Sequence, residues 1–162
     1  MRTFITSDHH FGHRNIILYA SRPFNSVGQM NETMIKKWND KVTNDDLVYH
    51  LGDLGLTNKK YFQYLGLKLK GRMIIISGNH DKVRYLRDLG FAVRERGETI
   101  TIKNLILSHE PLKPVPDGFV NVHGHIHNRR AYGRRINACV DVTKFEPINI
   151  AKYFGMARGM LI

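Results

Sequence analysis

Hydrophobic positions in this chain come in short runs separated by longer amphipathic stretches. Thr3–Thr6 and Leu47–Leu51 read as strands, and the unbroken apolar run Met73–Ile76 predicts a strand buried on both faces. Between them, Asn31–Trp38 places Met34, Ile35 and Trp38 on one helical face, with Asn31 as the N-cap. Lys59–Leu67 reads as a second helix and Val83–Leu89 as a third, closed by Gly90. The second half is richer in strands: Thr99–Ile102, Leu105–Leu107, Val120–Val122 and Asn137–Val140. Lys103-Asn104 predicts a tight hairpin between the first two of these. No repeat or linker interrupts the pattern. The order predicts a single α/β domain over residues 1–162, with two packed sheets and helices outside.

In layered α/β domains the ligand crevice lies at the carboxyl ends of strands. Here those ends are rich in chemistry. Thr3–Thr6 is followed by Ser7-Asp8-His9-His10, and Leu47–Leu51 by Gly52-Asp53. Met73–Ile76 runs into Ser77-Gly78-Asn79-His80-Asp81, Leu105–Leu107 into Ser108-His109, and Val120–Val122 into His123-Gly124-His125-Ile126-His127. Imidazole and carboxylate together suit Zn, Mn, Fe, Co or Ni. Alone, the first three blocks read as well as turns and Gly124-His125-Ile126-His127 as a half-buried strand; their convergence on strand ends points to a metal site.

The series Asp8-x-His10, Gly52-Asp53, Gly78-Asn79-His80-Asp81, His109 and Gly124-His125-Ile126-His127 resembles the calcineurin-like metallophosphoesterase superfamily, with all blocks in that order. Phe11-Gly12-His13 and Asn137-Ala138-Cys139-Val140-Asp141 are similar to its small microbial and phage members. The resemblance implies two mixed sheets packed as a sandwich between helices. It implies that Asp8, His10 and His127 hold one divalent ion, that Asn79, His109 and His125 hold another, and that Asp53 bridges them. A bridging hydroxide would then attack a phosphate ester in line. His80 would stabilise or protonate the leaving oxygen, with Asp81 orienting it. Gly52-Asp53 lacks the Asp-Arg-Gly extension of Ser/Thr protein phosphatases, and Leu56 stands where purple acid phosphatases carry a tyrosine. The chain is also too short for a capping domain, which implies an open cleft.

Composition narrows the partners. A net charge of +11 favours an anionic ligand. The single cysteine, Cys139, excludes an internal disulfide and reads as a small core residue. Apolar runs fall far short of the ~20 residues that span a bilayer, and the N-terminus does not read as a signal peptide. A cytoplasmic protein without membrane attachment is expected. His13 lies in a glycine-containing loop from which it could touch phosphate, and Arg14 and Arg22 offer guanidinium forks for the same purpose. His9, His50 and His123 read as structural. Arg129, Arg130, Arg134 and Arg135 surround Tyr132 and Gly133 in a loop that could grip nucleic acid or simply be solvated.

The expected function is therefore a phosphoesterase with two divalent cations, manganese first among them, with Zn, Fe, Ni, Co and Mg as alternatives. It would hydrolyse a phosphodiester or phosphomonoester of a nucleotide-like or other small molecule. The alternatives are a nuclease or RNA-end-processing phosphoesterase using the basic loop, and a metal-stabilised binding module.

Overall fold

Alternation of strand and helix along the first half builds one sheet and its outer layer. In the computed structural model, which describes residues 1–154, the elements are β1 (Thr3–Thr6), α1 (Ile16–Tyr19), α2 (Val27–Lys41), β2 (Leu47–His50), α3 (Lys59–Lys68), β3 (Arg72–Ile76), α4 (Val83–Asp88) and β4 (Ala92–Arg94). The second half gives β5 (Ile100–Ile102), β6 (Leu105–Ser108), β7 (Val120–His123), β8 (Arg135–Asn137) and β9 (Ile148–Asn149), then a 3-10 turn over Ile150–Tyr153. Residues 155–162 of the expected domain lie outside the described residues.

One sheet has the order β4-β3-β2-β1-β9 and the other β5-β6-β7-β8. Both are mixed, as expected: β9 runs antiparallel to β1 and β5 antiparallel to β6, whereas the remaining pairs are parallel. Parallel register brings strand ends level. Thr6 pairs with His50 and His50 with Ile75, while Ser108 pairs with His123 and His123 with Asn137. The segments that follow these residues therefore leave the two sheets along one edge. A parallel bridge from Ser7 to Cys139 joins the sheets at that edge.

Side-chain alternation divides the core in two. Phe4, Val48 and Ile75 face the helices, packing with Met30, Met34, Trp38, Phe62 and Leu86. Their neighbours Ile5 and Ile76, with Leu51, face the other sheet and meet Leu105, Leu107 and Val122. Full burial of one such large apolar side chain contributes about 1.5–3 kcal/mol.

The sequence places α2 imperfectly. The helix begins at Val27 and Ser26 caps it, its Oγ accepting from the Gln29 N–H at 3.1 Å. Asn31 is no cap. It is buried inside the helix, accepts from the Gly12 N–H at 3.2 Å and donates to the Tyr61 hydroxyl at 2.8 Å, tying α2 to the loop after β1 and to α3. The strand expected over Asn137–Val140 is instead Arg135–Asn137 followed by the lone Ser7–Cys139 bridge. The expected hairpin stands, with Ile102 opposite Leu105 and Lys103 at φ +53°.

Candidate metal centre

The strand exits turn sharply. Asp8, His10, Asp53, His125 and His127 all have positive φ, between 51° and 69°. Non-glycine residues in this region are strained and persist only where surrounding contacts hold them. The contacts are visible: the Asp8 N–H donates to Gly52 O and the His10 N–H to Asp53 O, both at 3.0 Å, zipping two loops together beyond the sheet. Two glycines permit the close approach. A Cβ on Gly78 would strike the Asp53 carboxylate, and one on Gly124 would strike Ser7 Oγ and Asp8 Oδ2.

This backbone brings the expected side chains together. Asp8, His10 and His127 form one group of donors within ion-binding reach of one another; Asp8, Asp53 and His109 form a second. Asp53 Oδ2 lies 3.4 Å from His10 Nε2 and 3.7 Å from His109 Nε2, between the two groups. Asn79 Oδ1 sits 3.0 Å from His109 Nε2 and 3.1 Å from His125 Nδ1. The sequence pointed to Asp53 as the shared residue; in the structure Asp8 also belongs to both donor groups.

The donor atoms are electron-rich and short of protons to share. His109 Nδ1 donates to the Leu51 carbonyl at 2.7 Å, because a carbonyl can only accept, which in the neutral ring leaves a lone pair on Nε2 on the side of Asn79. His127 Nδ1 donates to Asp141 Oδ2 at 3.0 Å and likewise turns Nε2 inward. Asp8 Oδ2 accepts from the Ser7 hydroxyl, the His125 N–H at 2.9 Å and the Cys139 thiol at 3.1 Å. Its Oδ1 is buried without a hydrogen-bond partner, and so are both nitrogens of His10. Buried polar atoms left unpaired are costly. A cation would satisfy Asp8 Oδ1 and one nitrogen of His10, and the residues present fit divalent metal.

Electrostatics agree at His10, His125 and Asp53. Burial lowers His10 to a pKa of about 2, with the charge of His127 adding to the effect, so its imidazole is neutral and available as a ligand. Burial also lowers His125, reinforced by His109. Burial raises Asp53, and the neighbouring Asp8 carboxylate raises it further against His109. Burial would lower His127, but its bond to Asp141 and the charge of Asp8 outweigh that and leave it raised.

Two expectations need correction. Asp81 does not orient His80: its carboxylate accepts from the main-chain N–H groups of Asp53 (2.7 Å), Leu54 (2.8 Å) and Gly78 (2.8 Å), stapling the second and third loops. Burial raises its pKa to about 6. Arg22 does not face substrate. It is 5% exposed, and its guanidinium donates to the carbonyls of Asp8 (2.6 Å) and His9 (2.7 Å) and to Asp141 (2.8 Å). It braces the first loop.

The other singled-out residues lie as follows. His80 is exposed at the rim, its N–H held by Asp53 Oδ1 at 2.9 Å and its ring 5.4 Å from that of His10. His13 is partly exposed, its ring 6.3 Å from His80, and Arg14 is exposed. His9 and His50 are buried and bonded to each other at 2.9 Å. His123 is buried, and its Nδ1 donates to the Gly124 carbonyl at 2.8 Å. Asp141, Ser7 and Cys139 support candidate donors directly; Ser7 opens the first strand-end block, but that pattern gives none of the three a role. Only the place of Asp141 and Cys139 in the last sequence block hinted at it.

A family model described as calcineurin-like phosphoesterase matches residues 1–154. An uncharacterised protein of Methanocaldococcus jannaschii is 35% identical over 163 residues, spanning 92% of this chain and 87% of that one. A protein of unknown function from Aquifex aeolicus superposes with a TM-score of 0.76 at 25% identity, covering 96% of this chain and 98% of that chain. The nuclease MPE of Pseudomonas putida shares the fold, with a TM-score of 0.51 at 19% identity over 78% of this chain and 62% of its own. The match spans every donor block from Asp8 to His127, and the chain belongs to the calcineurin-like phosphoesterase family.

Proposed function

We propose that the protein is a phosphoric ester hydrolase working with two divalent cations, manganese the first to try, on a phosphodiester or phosphomonoester of a nucleotide-like or other small molecule. The observation that carries this reading is the set of buried donor atoms without hydrogen-bond partners, Asp8 Oδ1 and His10 Nε2, converging with Asp53, His109 and His127. Asp8, His10 and His127 would hold one ion and Asn79, His109 and His125 the other, with Asp53 between. Bound there, the ions would neutralise phosphate oxygens and acidify a water molecule.

The chain's own groups do the rest. Asp141 and Leu51 fix the tautomers of His127 and His109. His80 stands at the exposed rim, where it can give a proton to the leaving oxygen, and Asp53 anchors its backbone. His13, its ring 5.5 Å from that of His10, stands at the same rim, and it and the exposed Arg14 would meet the phosphate. Asn79 and His80 are exposed, which suits an open catalytic site better than a closed structural one. The unpaired Cys139 suits a reducing compartment such as the cytoplasm. No helix among the described residues is long and apolar enough to cross a membrane.

A nuclease reading draws on the exposed Arg129 and Arg130, the latter 5.8 Å from the ring of Tyr132. The loop offers fewer free cations than the sequence suggests. Arg134 is engaged by Val115 O and Asp117, and Arg135 by Leu112 O and Tyr132 O.

Hydrolysis of bis-p-nitrophenyl phosphate and p-nitrophenyl phosphate by metal-free protein, then with Mn²⁺, Ni²⁺, Zn²⁺ or Mg²⁺ restored, tests the proposal. Turnover should be absent without metal and return with Mn²⁺. Faster reaction of the diester would select a phosphodiesterase, and of the monoester a phosphatase. No turnover with any metal, in protein shown to hold two ions, would overturn the hydrolase reading in favour of a binding module.

A further inference from the structure

The metal centre opens on one side into a groove of about 850 Å³. His109 and His125 line it together with Arg96, Glu110, Lys113 and Arg129. A volume between about 300 and 1,000 Å³ accommodates a small-molecule ligand. Three cationic side chains face one carboxylate. Glu110 is already neutralised by Arg96, whose two guanidinium nitrogens lie 2.6 and 3.2 Å from Oε1. Lys113 and Arg129 are exposed and make no ion pair among the described residues. The Arg129 Nε donates to the Ile126 carbonyl at 3.3 Å, which orients the guanidinium and leaves its terminal nitrogens free. A guanidinium fork and an ammonium suit a phosphate group, and both bind it far better when they need not first leave a carboxylate.

His109 and His125, proposed above as metal ligands, line this groove, so a substrate whose ester lies between the proposed ions can extend a second group into it. We propose that this groove seats a second phosphate of the substrate, held by Lys113 and Arg129, next to the phosphate that is hydrolysed. The proposal rests on the phosphoesterase reading above and narrows its substrate class to molecules with two separated phosphates: a nucleoside bisphosphate, or a nucleotide within a chain.

Calorimetric titration of the Mn²⁺-loaded protein with thymidine 5′-monophosphate and thymidine 3′,5′-bisphosphate tests this without requiring turnover. The bisphosphate should bind at least about tenfold tighter, the worth of one good charge-assisted contact. In Lys113→Glu/Arg129→Glu that affinity ratio should fall to about one. Lys113→Arg/Arg129→Lys should keep it, and so should Lys70→Glu/Lys152→Glu, which makes the same change in net charge outside the groove. Equal affinities in the wild type, or a ratio that survives the first variant, would overturn the proposal. A ratio lost equally in the Lys70/Lys152 variant would also overturn it, by reducing the effect to overall charge. An oligothymidylate that binds tighter still, with a steep salt dependence, would place the second phosphate in a nucleic acid chain; affinity equal to the bisphosphate would place it in a small molecule. Bis-p-nitrophenyl phosphate turnover, measured in parallel, reports on the hydrolase reading separately. Its absence alongside an intact affinity ratio would sink that reading and leave the groove standing.

Discussion

Asp141 Oδ2 accepts the Nδ1 proton of His127 at 3.0 Å while the same carboxylate holds the buried Arg22 guanidinium at 2.8 and 3.2 Å. Burial would raise Asp141, but its bond to His127 and the charge of Arg22 keep it below the ordinary carboxylate range, so it stays ionised. One residue thus sets the tautomer of a candidate metal donor and secures the arginine that braces the first loop. Asp141→Asn should lower the affinity for the ion at Asp8, His10 and His127 by about 10–100-fold, the usual effect of losing such a support. Titration with Mn²⁺ followed by calorimetry would show it as one weakened site out of two. Two unaltered sites would remove Asp141 from the assembly.

His80 lies outside the donor groups, exposed, with only its backbone tied to Asp53. His80→Ala should therefore cut turnover by about 10²–10⁴-fold, the range for a lost general acid, and leave bound metal almost unchanged. Turnover and metal content measured on the same preparation decide the matter. Unchanged turnover would sink the proposed role.

Gly124 carries the last donor block past Ser7 and Asp8 with no room for a methyl group. Gly124→Ala would push the Asp8 carboxylate away from the His125 N–H that it now accepts at 2.9 Å. A loss of about 1–3 kcal/mol in stability is expected, as for other overpacked sites, together with weaker metal binding. Chemical denaturation of the metal-free variant separates the two effects. A stability equal to wild type would show that the loop yields easily.

His50 is completely buried, and burial, followed by the charge of His109, lowers its pKa to about 3. In the unfolded chain it would titrate near 6.5. The unfolded state therefore takes up a proton that the native state refuses, and stability must fall as pH drops below about 6.5. One such group contributes a slope of up to about 1.4 kcal/mol per pH unit. Urea unfolding of metal-free wild type and His50→Gln between pH 7 and 5 should show a shallower decline in the variant. Parallel declines would mean that other groups govern the acid response.

What the sequence determined by itself is chiefly local. The apolar runs placed β1, β2, β3, β6 and β7 to within a residue or so, because a buried strand needs an apolar run and little else. The donor blocks were legible because every one immediately follows such a strand. Strands β4 and β9 were not, since three and two residues are too few to show a period. Tertiary structure alone decided which polar groups face each other. Arg22 and Asp141 are 119 positions apart, and Cys139 and Asp8 are 131 apart. Nothing in either neighbourhood distinguishes a guanidinium held by buried carbonyls from one reaching for substrate. Asp81 likewise reads as a partner for its neighbour His80 until the fold presents three main-chain N–H groups to its carboxylate. Residue type at a strand end announces the chemistry, whereas the burial and pairing of each polar group depend on parallel register, which is set by contacts far apart in the chain.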